Sequence, residues 1–181
     1  VGGARLRSSI TETMRGRTAW LLVNLVTAIL ASVVISVFEG TIEQLVALAV
    51  LMPIVASMGG NAGTQTIAVA VRAIALRQLD SVSTRSFIFR EFLVALLNGL
   101  VFAGLAGLVS FIWFSDPEIA LIMAVAMLAN LLVAGLSGTL VPVGLLRSGV
   151  DPAVASSVFV TTITDVFGFS VFLGLAALYL M

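Results

Sequence analysis

The chain has 181 residues, of which 60% are apolar and 10% are charged, and its mean hydropathy is +1.20. A water-soluble domain of this length does not reach such values, so the composition predicts an integral membrane protein. Because the nine basic and nine acidic residues cancel and the chain has no cysteine or histidine, nucleic-acid binding, disulfides, thiolate chemistry and imidazole metal ligands have no support.

Five apolar stretches predict an all-α membrane protein with five transmembrane helices per chain. They cover residues 18–38, 45–71, 92–114, 119–146 and 153–181. Each reaches the roughly 20 residues that cross about 30 Å of hydrocarbon. The second, fourth and fifth are longer than this, which favours a tilt or a break, and the second and fourth contain Pro53 and Pro142.

The arginines predict the orientation. All nine basic residues are arginines, and in the five-helix arrangement all fall on one side, whereas the opposite loops carry only acids. The positive-inside rule then places the N-terminus in the cytoplasm and the C-terminus outside, in the inner (cytoplasmic) membrane. Residues 1–17 are basic and begin without methionine, so we interpret them as a connecting segment after a longer cytoplasmic region, and residues 18–181 as the five-helix domain.

The second stretch contains the most unusual segment, Pro53 to Gln65, with the sequence PIVASMGGNAGTQ. Its glycines and amides lower helix propensity, so we expect the second helix to be broken or kinked there. Irregular backbone at membrane depth is tolerated only where protein buries it or where it lines a wet cavity. The alternative is an unbroken helix whose glycines form a flat packing face, but Asn61 and Gln65 would add two amides to that face.

Asp165 is the only ionisable residue within the predicted spans, about 18 Å along its helix and hence near the midplane. An ionisable group at this depth is by default a functional-site hypothesis. The alternative is a structural carboxylate that is hydrogen-bonded to Thr161, Thr162 or another helix. Asn130 is a further intramembrane amide, which we assign to the lining of a pore.

A carboxylate, hydroxyls, amides and backbone carbonyls form an all-oxygen set, which suits hard cations. Magnesium fits best, because it dehydrates reluctantly and is held by one or two carboxylates with several retained waters. A homodimer would supply the symmetry that five helices lack, and it would bring two copies of Asp165 to one axis. Small residues that allow close helix contact recur as Ala103-x-x-x-Gly107, Ala134-x-x-x-Gly138 and Gly59-x-x-x-Gly63, and the alternative for each pair is ordinary packing within one chain.

The segment Pro53 to Gln65, followed in the last stretch by TTITDVFGF at residues 161–169, resembles the transmembrane domain of the MgtE family of magnesium channels. The resemblance covers essentially the whole chain. It implies a homodimeric pore for hydrated Mg²⁺, with Asp165 as the acidic residue that binds the ion and the Gly60 carbonyl as a backbone contributor. At Thr64 some family members have asparagine, which implies that a side-chain contact there is weaker or is made through water.

The predicted ion ligands are therefore Asp165, Gly60, Asn61, Thr64 and Thr161, and the predicted pore-lining residues are Gly59, Gly63, Gln65, Asn130 and Thr164. The transported ion, Mg²⁺, is the only ligand that we expect. The resemblance also implies a cytoplasmic N-terminal region with paired CBS modules, which closes the pore when cytosolic magnesium is high. The expected partners are thus a second copy of the chain, the lipid bilayer and this regulatory region.

Two rival functions follow from the same residues. A proton- or sodium-coupled secondary transporter of divalent cations would use Asp165 as its coupling site. An intramembrane aspartyl protease needs two carboxylates that share a proton, and the predicted spans offer one. A serine intramembrane protease would lack its histidine. We therefore predict that the chain is not an enzyme.

Overall fold

A computed structural model describes residues 9–78 and 81–180. They form the helices α1 (Ile10–Val37), α2 (Glu39–Gln44), α3 (Val46–Ala75), α4 (Ser81–Phe114), α5 (Pro117–Arg147) and α6 (Pro152–Tyr179). Five of these helices, all except α2, are long and apolar enough to cross a membrane. The all-α class and the five spanning helices are confirmed, and the homodimer stays a prediction. Residues 1–8 of the predicted connecting segment and residue 181 lie outside the described part.

The helices extend beyond the predicted apolar stretches. α4 begins at Ser81 rather than at residue 92, because a helix continues through polar residues that hydropathy alone assigns to a loop. α1 begins at Ile10, so it crosses the predicted boundary between the connecting segment and the first span without interruption. The short helix α2 was not predicted, and it joins α1 to α3 on the side opposite the arginines.

Two aspartate–proline pairs begin the last two helices. Asp116 Oδ1 accepts hydrogen bonds from the backbone N–H groups of Glu118 (2.8 Å) and Ile119 (3.2 Å), with Pro117 in the first turn of α5. Asp151 Oδ1 accepts from the N–H of Ala153 at 3.0 Å in the same way before α6. Each carboxylate satisfies N–H groups that a helix leaves free at its start.

Helix α5 lies at the centre of the bundle. It packs against α3, α4 and α6, whereas α1 packs mainly against α6 and exposes most of its apolar residues. The core between α3, α5 and α6 consists of large apolar side chains with essentially no exposure, including Leu48, Leu51, Val55, Met123, Met127, Phe172 and Leu173. Because lipid is as apolar as these side chains, close van der Waals packing holds the helices together.

Small residues let the backbones of neighbouring helices approach each other. A Cβ built at Gly107 would lie 3.1 Å from the carbonyl oxygen of Ala120, and one built at Gly138 would lie 3.0 Å from that of Gly63. Ala103 and Ala134 are also buried within the single chain. The three small-residue pairs found in the sequence therefore serve contacts inside one chain.

The described arginines lie toward one end of the bundle. Arg15 and Arg17 lie near the start of α1, and Arg72 and Arg77 near the end of α3. The others lie in the first turns of α4 and the last turn of α5. Short connections join α3 to α4 and α5 to α6 at this end. The side of the membrane that this end faces stays a prediction.

Replacing Gly107 by valine should destabilise the bundle, because the added side chain would press α4 away from the backbone of α5 at Ala120. Overpacking of this kind costs about 1–3 kcal/mol. The matched control is Gly104→Val in the same helix, since a Cβ at Gly104 meets no atom within 4 Å. The fraction of protein that stays monodisperse in size-exclusion chromatography after heating measures the difference. Equal loss in both variants would contradict the described α4–α5 contact.

Candidate functional site

The segment from Pro53 to Gln65 is helical throughout, because α3 runs without interruption from Val46 to Ala75. The expected break is therefore wrong, while a kink at Pro53 stays a prediction. Close packing offsets the low helix propensity of the segment: a Cβ at Gly63 would lie 2.5 Å from Val160 Cγ1 on α6, and one at Gly59 would overlap Asn130 on α5. The unbroken helix with a flat glycine face, the alternative interpretation of this segment, is the arrangement found.

The amides Asn61 and Gln65 do not share this packed face. At 100° per residue they lie on the side of α3 away from Gly59 and Gly63, and both are exposed in the single chain. The two amides therefore do not crowd the flat glycine face on which their expected effect depended.

Asn130 is buried where α3, α5 and α6 meet. None of its surface is exposed, and its Nδ2 donates a hydrogen bond to the carbonyl oxygen of Val55 at 2.9 Å. It fits between Gly59 and Gly168, and a Cβ at Gly168 would lie 2.7 Å from its Nδ2. These contacts place Asn130 in the interior of the single chain, where its Oδ1 has no hydrogen-bond partner among the described residues, and its pore-lining role stays a prediction. Gly59, Gly63 and Thr164 are buried as well.

The five predicted ion ligands, in contrast, all reach the surface of the chain along α3 and α6. Gly60 meets α6 at Thr161, since a Cβ at Gly60 would lie 3.8 Å from Thr161 Cγ2. Asn61 and Thr64 follow on the exposed face of α3, and Asp165 lies one turn beyond Thr161 on α6. We call the surface formed by Ser57, Gly60, Asn61, Thr64, Ser157, Thr161 and Asp165 the polar stripe.

Ser57 and Ser157 of the polar stripe were not predicted. α3 and α6 run in opposite directions, and Gly60 lies beside Thr161. Asp165, one turn after Thr161, therefore lies near the level of Ser57, which precedes Gly60. Asn61 Nδ2 donates to Ser57 Oγ at 3.3 Å. Helical spacing was the missed signal: Ser57 is four residues before Asn61, and Ser157 is four before Thr161. Because we expected an opened backbone in the second helix, we did not apply helical spacing to find Ser57.

The carboxylate of Asp165 is half-buried and, within residues 9–78 and 81–180, has neither a hydrogen-bond donor nor an ion-pair partner. The neighbouring hydroxyls donate to carbonyls of their own helix instead. Thr161 Oγ1 donates to Ser157 O at 2.8 Å, and Thr162 Oγ1 donates to Val158 O at 2.6 Å. Because each hydroxyl has one hydrogen, neither is left for Asp165. The structural alternative for this carboxylate therefore lacks its expected donors.

An open cleft of about 470 Å³ between α1 and α6 leads to the polar stripe from the arginine-bearing end of the bundle. Arg17 and Ala153 lie near its mouth, and Ser157 and Thr161 line its wall on α6. Water in this cleft would reach hydroxyl groups up to the level of Thr161, one turn from Asp165.

Gln65 lies one turn after Asn61 and lines a groove shared with α4 and α5. Glu91 also lines this groove and is 7% exposed, with its carboxylate 3.9 Å from Arg90 Nε. Asp165 is therefore not the only ionisable residue in the spanning helices, because the span of α4 begins at Thr84 and includes Glu91. The predicted third span began at residue 92 and left this carboxylate in a loop.

The polar stripe offers oxygen atoms from one carboxylate, one amide, several hydroxyls and the carbonyl of Gly60. That carbonyl already accepts from Thr64 Oγ1 at 2.8 Å. No cluster of three or more acidic, cysteine or histidine side chains suited to a metal occurs in the part of the chain that the structure describes. A sparse set of oxygen ligands of this kind suits a cation that keeps most of its water shell.

Comparison with known proteins adds an independent observation. A family model, MgtE, described as a divalent cation transporter, matches residues 52–175. The magnesium transporters MgtE of Bacillus subtilis and Thermus thermophilus are each 34% identical to the chain, over 164 and 165 residues, and that of Enterococcus faecalis is 31% identical over 164. The alignments cover 91% of this chain and 36% of each relative, so the chain spans about a third of the length of these curated relatives.

The absence of cysteine makes the polar stripe testable with single cysteines. We expect Ser57→Cys and Thr64→Cys to react with a membrane-impermeant thiosulfonate in liposomes, because thiolates form and react only where water reaches them. Leu97→Cys, at a position that is 64% exposed on an apolar surface, and Thr164→Cys, at a fully buried position, should stay unmodified. Mass spectrometry of the labelled protein gives the extent of reaction. Labelling of Leu97→Cys as fast as that of Ser57→Cys would contradict a wet stripe.

Proposed function

Because the chain belongs to the MgtE family of divalent cation transporters, we propose that it is the membrane pore of a magnesium channel in the cytoplasmic membrane. In this proposal the pore passes largely hydrated Mg²⁺ down its electrochemical gradient. Asp165 binds the hydrated ion near the midplane, assisted by the Gly60 carbonyl and the side chains of Asn61, Thr64 and Thr161. Gln65 lines the groove shared with α4 and α5, so we do not assign it a contact with the ion.

The observation that carries the proposal is a polar surface on the outside of a membrane-spanning chain. The polar stripe is accessible on α3 and α6, and hydrocarbon would leave its carboxylate, that of Asp165, unsatisfied. A buried unpaired charge is costly, so such a surface must be covered by protein or by water. A second copy that presents the same stripe across a two-fold axis would provide both a protein wall and a wet space.

The charge balance of such a dimer favours a divalent ion. Two copies of Asp165 would carry two negative charges at one level of the axis. One Mg²⁺ neutralises them, whereas one Na⁺ or K⁺ leaves a net charge in a low-dielectric setting. Because Mg²⁺ gives up its waters reluctantly, a few oxygen ligands that act through its hydration shell are sufficient.

A proton- or sodium-coupled transporter remains the second candidate, and the unpartnered carboxylate of Asp165 favours it equally. A carboxylate that makes no hydrogen bond to its own chain is free to take up a proton during a transport cycle. Magnesium flux into liposomes, driven by a membrane potential with and without a pH or sodium gradient, separates the two. Flux that follows the magnesium gradient alone supports the channel, and flux that stops when the proton or sodium gradient is removed supports the coupled transporter.

Replacing Asp165 by alanine should reduce magnesium flux to that of protein-free liposomes while the protein stays folded, because removal of an unpartnered carboxylate relieves a desolvation cost. Asp165→Asn should also fail, since it preserves size and removes charge. The matched control is Glu43→Gln, which removes one exposed carboxylate outside the spanning helices. A magnesium-sensitive dye inside the liposomes reports flux, and near-normal flux in well-folded Asp165→Ala protein would reject the assignment.

Gly60→Val should reduce flux more than Ala62→Val. Gly60 faces the polar stripe beside Thr161, so a branched side chain there would cover its carbonyl and narrow the space in front of Asp165. Ala62 lines the groove shared with α4 and α5, away from the stripe. The two variants carry the same new side chain within one turn of α3. Equal flux, measured at equal protein density with the same dye, would show that Gly60 does not face the ion path.

A further inference from the structure

An open groove of about 410 Å³ lies between α4 and α5 at the arginine-bearing end of the bundle, away from the polar stripe. It combines two arginines with a mostly apolar wall. The lining residues are Thr84, Arg85, Ile88, Phe89, Phe92, Leu136 and Arg147. Arg85 comes from the start of α4 and Arg147 from the last turn of α5, so two antiparallel helices each supply one guanidinium.

Among the residues that the structure describes, none balances the charge of this groove. Neither arginine has an acidic ion-pair partner in residues 9–78 and 81–180, where the single ion pair joins Arg90 to Glu91. The lining residues that are described include no acidic side chain. Both side chains are exposed, and a guanidinium presents donors in a planar fork that matches the oxygens of a phosphate. The groove is therefore complementary to an anion that carries a phosphate group.

The apolar part of the groove continues from the arginines into the depth of the membrane. Phe89 and Phe92 lie four and seven residues after Arg85, on the same face of α4. On α5, Leu136 precedes Arg147 by eleven residues, which places it roughly 16 Å deeper along the helix. Phe89 is 62% exposed, so this aromatic wall is open to an occupant. A phosphate alone would leave the apolar wall uncovered.

We propose that this groove binds an anionic phospholipid, with its phosphate between Arg85 and Arg147 and an acyl chain along Phe89, Phe92 and Leu136. A net-anionic headgroup fits better than a zwitterionic one, because a choline group would bring a third positive charge beside the two guanidiniums. Basic pockets between transmembrane helices at a membrane interface are suited to such headgroups. The site does not depend on which ion the chain transports.

Native mass spectrometry of the full-length protein in detergent, titrated with phosphatidylglycerol or phosphatidylcholine, tests the site. We expect phosphatidylglycerol to bind at least about tenfold more tightly, since each arginine near a membrane surface contributes roughly a fivefold factor. Arg85→Gln combined with Arg147→Gln should abolish this preference. The matched control removes two exposed arginines elsewhere at the same end, by Arg15→Gln combined with Arg72→Gln, and should keep it.

Size-exclusion chromatography establishes that each variant is folded. If the double variant is not, Arg147→Gln alone serves as the readout, because it changes one exposed residue in a last turn and should lose several-fold in affinity. Equal binding of the two lipids, a preference that survives loss of both groove arginines, or an equal loss in the control pair would each overturn the proposal. Tight binding of soluble glycerol phosphate, as tight as that of the lipid, would also overturn it, since the apolar wall would then contribute nothing.

Discussion

Polar groups that lie in hydrocarbon must find their partners within the protein, and this constraint governs most of the structure. Helices satisfy the backbone, and many hydroxyls donate to a carbonyl one turn earlier, although the buried Ser156 Oγ and Asn130 Oδ1 make no hydrogen bond within the described residues. Ser32, Ser110, Ser137 and Ser170 bond in this way to Ala28, Ala106, Val133 and Val166. Against this background the free carboxylate of Asp165 is an exception, and exceptions at membrane depth are where function is expected.

Glycine plays a different part here from the one that its low helix propensity indicates. Gly59 and Gly63 let Asn130 and Val160 approach the backbone of α3, so the segment gains in packing what it loses in propensity. The same packing turns Asn61 and Thr64 outward. One face of α3 thus holds the bundle together while the other presents polar groups, and a single helix serves both stability and the proposed pore.

The fold class, the number of spanning helices and the family could all be predicted from the sequence. Apolar stretches of spanning length are a one-dimensional signal, and the two motifs around Gly60 and Asp165 are specific. The helix boundaries were less accurate, as at Glu91, because hydropathy marks the hydrocarbon and not the end of the helix. The predicted ligands share one surface, but of the predicted lining residues Asn130 and Thr164 are interior and Gln65 lies in another groove.

By itself, the sequence determined that this chain crosses a membrane five times and that a carboxylate, Asp165, lies deep within its last helix. Only the tertiary structure decided which polar groups are buried in contacts within the chain and which remain on its surface. Helix propensity describes a residue within its own helix. Whether the Pro53 to Gln65 segment stays helical depends also on its packing against Asn130 and Val160, which are distant in sequence and adjacent in space. The spacing of small residues marks where a helix can be approached closely, but it does not say which helix approaches.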